Sequence, residues 1–473
     1  MPEYQDFSGR DFTARFEAAL ALLSMLLPEL TDRNHSDAGI SLVRLLEDEI
    51  DKANFYLDRA FNEQFIPTAK WKQSLINIAS STDWPPKLAS AASTTIKIAR
   101  VDGFAAVLSI PKYSKFTRID GMSYLSSFDV ILPEGTAHVD VPVIQGIVQT
   151  LTLHPEDFVV RDLSKRPKYN LGKNIAARSV SVVNSDLGLS WTEVESFWRS
   201  LPTDRHFVLE LQADKFNGVA DTVFLVFGDE VKGGGSPLQP VTVQFVVCDG
   251  AEGNCGAGKI TEPPYGMQDQ ITCTNLTSAT GGALAEDTKS YRRRIPLATR
   301  TQRRGVTIPD YQALIESIPG VAHCQAVDRN TDPYWPHWYV ALYVVPAGGG
   351  PLSDLLKSQI HAQCAQWGHL GQWKERYILL DAQTVAVNVS CRIGFAEGYN
   401  SVAVIAAVTA AINALFDVSQ IGIGDTLTFS DLHSAVSSVV GVSWVEFDAP
   451  TTDVSTSTGK ILTLGSINIT TQS

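Results

Sequence analysis

Basic residues, cysteines and long apolar runs are all scarce in this 473-residue sequence, and each shortage removes a class of function. Lysine and arginine total 38 against 51 aspartate and glutamate, a formal net charge of −13, which argues against a general phosphate-binding surface and a nucleic-acid partner. The six cysteines, Cys248, Cys255, Cys273, Cys324, Cys364 and Cys391, are scattered without a CxxC pair, so buried reduced thiols are expected rather than a disulfide framework. The most apolar windows, Leu20 to Leu27 and Val402 to Phe416, are too short to span a bilayer; a soluble chain with no membrane partner is expected. The opening MPEYQDFSGRDF lacks the basic and apolar regions of a secretory signal, so export by that route is not expected.

Catalytic signatures are missing as well. There is no G-x-S-x-G elbow. The glycine-rich loop beside Val223 to Phe227 and Val241 to Val247 lacks the Gly-Lys-Ser/Thr ending of a phosphate cradle, and a tight hairpin is expected there. His361, Cys364 and His369, with His323 beside Cys324 or His337 as a further ligand, have a spacing that could ligate a metal or serve a cysteine hydrolase. A helix face and core thiols explain the same residues, so no catalytic, cofactor or metal residue is assigned. Arg292, Arg293, Arg294, Arg300, Arg303 and Arg304 form a local basic cluster beside Glu286 and Asp287, with Tyr291 its only aromatic neighbour. It reads as a clamp within or between subunits, carried by Arg292, Arg293, Arg294, Arg303 and Arg304, rather than as a nucleic-acid site.

What is present is a globular composition, 44% hydrophobic and 19% charged, in a chain long enough for two to four domains. Residues 1–84 read as helical. Phe12, Phe16, Leu20, Leu23 and Leu27 line one side of a helix that Asp11 can cap and Pro28 ends. Val43, Leu46, Ile50, Ala53, Leu57, Ala60 and Gln64 then recur three and four apart, a heptad seam that needs a partner helix. A second line through Leu42, Leu45, Tyr56 and Phe61 makes the apolar face wider than one internal contact requires, which favours a bundle shared with another chain. The partner interface is therefore placed on Val43, Leu46, Ile50, Ala53, Leu57 and Ala60.

Residues 85–280 read as a β-rich module, sandwich-like or barrel-like, with one helical interruption at Trp191 to Leu201. Residues 281–473 read as a duplicated α/β domain. With an offset of 121, Asp310 falls on Asp431, Gly320 on Gly441 and Val321 on Val442, giving helix, glycine and strand twice. The two halves are expected to share a sheet. The first helix carries a capping-box spacing, Thr307 to Asp310. The whole is an α+β multidomain chain.

Several blocks resemble one family. Asp37-Ala38-Gly39-Ile40, Asp51, Tyr56, Glu63, Thr68-Ala69 and Ser74-Leu75 form one. Gly228-Asp229, Gly253-Asn254 and Gly256-Ala257-Gly258 form a second, with Glu230 where the family more often has Gly, so that a different turn is expected. Gly281-Gly282, Glu286-Asp287, Tyr291 to Arg294 and Pro319-Gly320-Val321 form a third, and Ile421 to Phe447 with Leu464 to Ile469 a fourth. Together they resemble the baseplate J-like family, wedge subunits of contractile phage tails and related injection systems. The resemblance implies a structural, non-enzymatic protein of the virion tail baseplate, made and assembled in the host cytoplasm. It also implies partners: a second copy of the chain, another baseplate wedge subunit, a sheath-initiator-like protein and the central hub. The N-terminal helices would join a mixed bundle, C-terminal domains would pair around the hub, and the wedge would relay contraction to the sheath.

Overall fold

The computed structural model describes residues 12–29, 34, 37–82, 84–101, 107–159, 166–184, 186–213, 221–301, 304–336, 339–367, 376–396, 398–418 and 420–471. They form two compact units, an α+β multidomain arrangement with helices first and a β-rich region after.

The first unit collects the chain up to Pro85, Ala213 and Asp287–Pro296. It holds α1 (Phe12–Leu26), α2 (Ala38–Asn62), α3 (Lys72–Ala79) and the first turns of α4 (Thr288–Thr301). Asp37 starts α2: its carboxylate accepts Gly39 N at 2.8 Å and Ile40 N at 3.1 Å, satisfying amides that the first turn leaves open. Asp11, expected to cap α1, lies outside the described residues. Beyond α2 the buried Glu63 carboxylate accepts Lys70 N at 3.0 Å and Trp71 N at 3.1 Å, and Thr68 Oγ1 donates to Asn62 O at 2.7 Å. These contacts fix the turn into α3. A small core of Ala69, Leu75, Ala79, Tyr291 and Ile295 closes the unit.

The second unit begins with a β-rich region. Its strands are β1 (Ser93–Arg100), β2 (Leu108–Ile110), β3 (Lys115–Arg118), β4 (Ser123–Ser126), β5 (Val130–Leu132), β6 (His138–Gln145), β7 (Ile147–Leu153) and β8 (Lys168–Gly172). They continue with β9 (Ser181–Asn184), β10 (Leu189–Glu193), β11 (His206–Gln212), β12 (Thr222–Phe227), β13 (Val241–Val247), β14 (Ile260–Glu262) and β15 (Ile271–Asn275). One sheet runs β14-β3-β4-β6-β1-β15 and another β7-β13-β9-β10-β11-β12-β8, while β2 pairs with β5. Apolar residues alternate inward on β1 and β6, so Ile96, Ile98, Val141 and Val143 meet Phe116 and Tyr124 in one core. The chain passes from the first sheet to the second at Gly146, φ 143°, where a Cβ would stand 2.4 Å from Val246 and 2.6 Å from Val247 O. Only glycine fits that crossing.

Three local expectations are corrected. Trp191 to Leu201 is not a helix: β10 pairs with β9 and β11, Trp191 packs edge-on to Phe227, and only a single 3-10 turn, Phe197–Arg199, follows. The helical spacing of its apolar residues is outweighed by the strand pairing on both sides. Nor do β12 and β13 form a hairpin, because β9, β10 and β11 lie between them in the sheet and each uses both edges elsewhere. Glu230, expected to alter its turn, takes the left-handed φ of 66° and donates its N–H to Gly233 O at 3.1 Å. The turn tolerates a strain of about 1–2 kcal/mol.

The back of the unit has α5 (Ile308–Glu316), β16 (Val321–Val327), β17 (Val340–Pro346), α6 (Asp354–Trp367) and β18 (Tyr377–Asp381). Then come β19 (Gln383–Phe395), α7 (Ser401–Leu415), β20 (Thr426–Leu427), α8 (Phe429–Ser437), β21 (Val442–Ala449), β22 (Val454–Ser455) and β23 (Lys460–Thr471). The repeated helix, glycine and strand are α5, Gly320 and β16, then α8, Gly441 and β21; both glycines have positive φ, 89° and 98°. Asp310 Oδ2 accepts Thr307 N at 2.9 Å, and Thr428 Oγ1 accepts Asp431 N at 3.1 Å. The halves do not share a sheet, however. They form β16-β17-β18 and β21-β19-β23, each with one antiparallel and one parallel pairing and its own core. The parallel strands β18 and β23 complete each sheet separately, which removes the need for a common one.

Front and back of this unit are tied at Gly281–Gly282. Asn254 Nδ2 donates to Gly282 O and Gly282 N donates to Asn254 Oδ1, both at 2.9 Å. Ser90 and Ala283 exchange backbone bonds at 2.8 and 3.0 Å, and Ser90 Oγ donates to Gly281 O at 2.6 Å.

Candidate partner interface

Helix α2 has a mixed outer side, where Arg44, Asp48, Glu49 and Lys52 stand exposed beside a broad apolar arc, and an inner stripe that is largely polar. Its inward stripe is Ile40, Val43, Glu47, Asp51, Asn54, Asp58 and Asn62, of which only two are apolar. Glu47 is paired with Arg15 of α1 at 3.1 Å, and Asn62 Nδ2 donates to Asp58 O at 2.8 Å. Asn54 Nδ2 is buried without a hydrogen-bond partner among the described residues. The outward side carries Leu46, 56% exposed, Leu57, 54%, and Tyr56, 70%, with Leu42, Leu45, Ile50 and Phe61 also exposed. At about 100° per residue these positions cover an arc of roughly 160°. Of the seam read from the sequence, Val43 is half-buried, and Leu46, Ile50, Ala53, Leu57, Ala60 and Gln64 are exposed.

Helix α1 adds to this surface in a way the sequence reading missed. Leu22, Met25, Leu26 and Leu27 are exposed and no residue of α1 is fully buried. The available signal was the composition FTARFEAALALLSML, apolar on more than one side. Large apolar side chains left exposed along two helices mark a candidate interaction surface.

The arginine cluster divides. Arg294 is buried, donates to Pro85 O at 2.8 Å, and lies over the rings of Trp84 and Tyr291 at 5.4 and 5.5 Å. Arg292 Nη2 donates to Ala69 O at 2.5 Å. Tyr291 donates its hydroxyl to Trp84 O at 2.8 Å, while Arg293 is exposed. Arg304 belongs to the other unit, and Arg303 lies outside the described residues.

Of the residues weighed for metal or nucleophile chemistry, those described are held by packing and local hydrogen bonds. His361 Nδ1 and the Tyr377 hydroxyl share a hydrogen bond of 2.6 Å, and burial pushes the Cys364 thiol up to about 12. His323 Nε2 bonds Val418 O at 2.7 Å, and burial raises Cys324 well above the ordinary thiol range. His337 and His369 lie outside the described residues. Among the described residues, no three His, Cys, Asp or Glu side chains are grouped to hold a metal ion, and no helix is long and apolar enough to cross a membrane.

Two stretches of the chain match domain families of phage baseplates. Residues 10–81 match the bacteriophage baseplate protein N-terminal domain, and residues 387–470 match the baseplate J-like protein C-terminal domain. The resemblance seen in the sequence blocks thus holds at both ends. No curated protein matches the chain. Among solved structures, the cryo-EM structure of the anti-feeding prophage (AFP) baseplate, 6-fold symmetrised, aligns over 98% of this chain and 95% of its own at 12% identity. Its TM-score is 0.31.

Proposed function

We propose that this chain is a structural subunit of a contractile baseplate, and more narrowly a wedge subunit. The reading is carried by α2, whose inward stripe is largely polar and whose outward side holds a broad apolar arc beside the exposed Arg44, Asp48, Glu49 and Lys52, in a segment that matches a baseplate N-terminal domain. On this reading Val43, Leu46, Ile50, Ala53, Leu57 and Ala60 enter a bundle with a second copy and another wedge subunit. Arg292 and Arg294 brace the base of that bundle from within, and Arg293 is left to reach a neighbouring subunit. At the other end, β23 is an edge strand of twelve residues with no charge after Lys460. Soluble proteins usually protect such an edge, so pairing between copies around the hub is the use that suits it. A sheath-initiator-like protein would sit against the ring, and joint movements would pass the contraction signal to the sheath. Assembly would take place in the host cytoplasm and end in the virion tail.

The test is co-expression of the chain with the products of its neighbouring genes, followed by sizing and particle imaging. The reading expects a complex containing more than one copy of this chain. A monomer that ignores every tail component contradicts it.

A further inference from the structure

The second unit contains a cavity of about 290 Å³ whose wall carries Lys112, Arg178 and five serines but no acidic side chain. In a chain of net charge −13 that is an unusual local balance. The volume equals roughly ten waters at about 30 Å³ each, room for a short acid or one long side chain.

Its backbone is strained beside both cations. Of the four non-glycine residues with left-handed φ among those described, Tyr113 (66°) and Arg178 (60°) both stand on this wall. Neither is Asn or Asp, the types that visit this region most readily, and each costs about 1–2 kcal/mol. The surroundings enforce the conformation. Lys112 N donates to Asp129 Oδ1 at 2.6 Å and Tyr113 N to Ser126 O at 2.9 Å. On either side of Arg178, Ala177 N donates to Ala89 O at 2.8 Å, and Ser179 Oγ accepts Val246 N at 3.2 Å. Strain held by braced turns clusters at ligand clamps.

The cationic heads are poorly answered from within. Among the described residues neither is in an ion pair: Lys112 Nζ lies 4.7 Å from the Tyr113 ring, and Arg178 Nη2 reaches Gln363 Oε1 at 3.4 Å. Glu193 is the acid that feels Arg178; burial pushes it up to about 7 with Arg178 opposing the rise, so near neutrality it is only partly ionised. Ser127 Oγ, also on the wall, is buried without a partner.

We infer that this cavity binds a carboxylate, from either a small dicarboxylic acid or an acidic side chain of another protein, with Lys112 and Arg178 on the charge and Ser127 as an added donor. Lys112 and Arg178 are both exposed, at the solvent side of the wall, and guanidinium and ammonium groups are the donors a carboxylate takes best. The inference stands apart from the baseplate reading and would survive its failure.

Calorimetric titration of the full chain with glutarate, and separately with a capped tetraglutamate peptide, tests it. At least one probe should saturate with a dissociation constant below about 1 mM. Lys112→Gln with Arg178→Gln should weaken it ten-fold or more. Arg178→Gly removes the cation and relieves the backbone together, so it should melt no lower than wild type and still lose binding. Glutarate binding points to a small acid, and tetraglutamate binding alone points to a protein side chain. Failure of both probes, or undiminished binding by the folded Arg178→Gly variant, overturns the inference.

Discussion

Asn254 and Gly282 pair like two strand residues: the side-chain amide of one donates to and accepts from the backbone of the other, both at 2.9 Å. Two sequence blocks that look unrelated, the Gly-Asn turn and the Gly-Gly pair, are therefore halves of one contact. A Cβ on Gly282 would lie 2.4 Å from Gly250 O. Asn254→Ala should cost about 2–3 kcal/mol by removing both bonds, and Gly282→Ala about 1–3 kcal/mol by forcing the backbones apart. Urea denaturation of each variant measures this.

Leu46→Asp with Ile50→Asp should leave the melting temperature of the isolated chain within a degree or two, because both side chains are already exposed. Co-purification with partner subunits should fall at least ten-fold. A variant that still elutes in the complex on a sizing column would remove α2 from the interface.

Arg293 and Arg294 are adjacent in sequence but should behave oppositely. Arg294→Met loses the bond to Pro85 O and the contacts over Trp84 and Tyr291, a cost of about 2–3 kcal/mol. Arg293→Ala should stay within about 0.5 kcal/mol of wild type and show its effect only in assembly. Thermal melts alongside co-purification separate the two.

The thiols should label in order of burial. Cys273 and Cys364 are pushed up to about 12 by burial, so at pH 8 roughly one in ten thousand is thiolate. Cys255 is the one cysteine that is only half-buried. Alkylation of the native chain followed by peptide mass mapping should find Cys255 modified first and the others only after denaturant.

Glu193 should make stability fall with pH. Burial raises its folded value to about 7 from an ordinary 4.5, so the folded state holds a proton that the unfolded state releases across that interval. The contribution is complete below about 4.5 and lost as pH rises through about 7. With partial solvent access it amounts to about 1–2 kcal/mol. Glu193→Gln should flatten the curve in that window and be the more stable form at pH 8, as read by melting temperature against pH.

The α+β order, α2 with its seam, and the paired helix-glycine-strand units could all be read in the sequence, because apolar spacing and capping residues act locally. What spacing cannot tell is direction. A period of three and four marks a stripe on α2, yet whether Leu46 or Glu47 faces the interior depends on what Arg15 offers across the gap. For the same reason Arg293 and Arg294 looked alike, although about 100° of helix separates them and only one reaches Pro85. Trp191 was misread because helical spacing in a short apolar run carries no information about the strands waiting on either side. Sheet membership failed for β12, β13 and the two back halves because pairing order is set by contacts distant along the chain.

The outward leucines of α2 also bear on supply. On the proposed reading, a polypeptide that leaves the ribosome with these leucines uncovered calls for prompt capture by a partner. Overproduced alone, it should self-associate weakly through that surface as its concentration rises. Its cellular level should therefore rise and fall with whatever masks the helix, and matched synthesis of the components becomes a requirement set by the orientation of a single 25-residue helix.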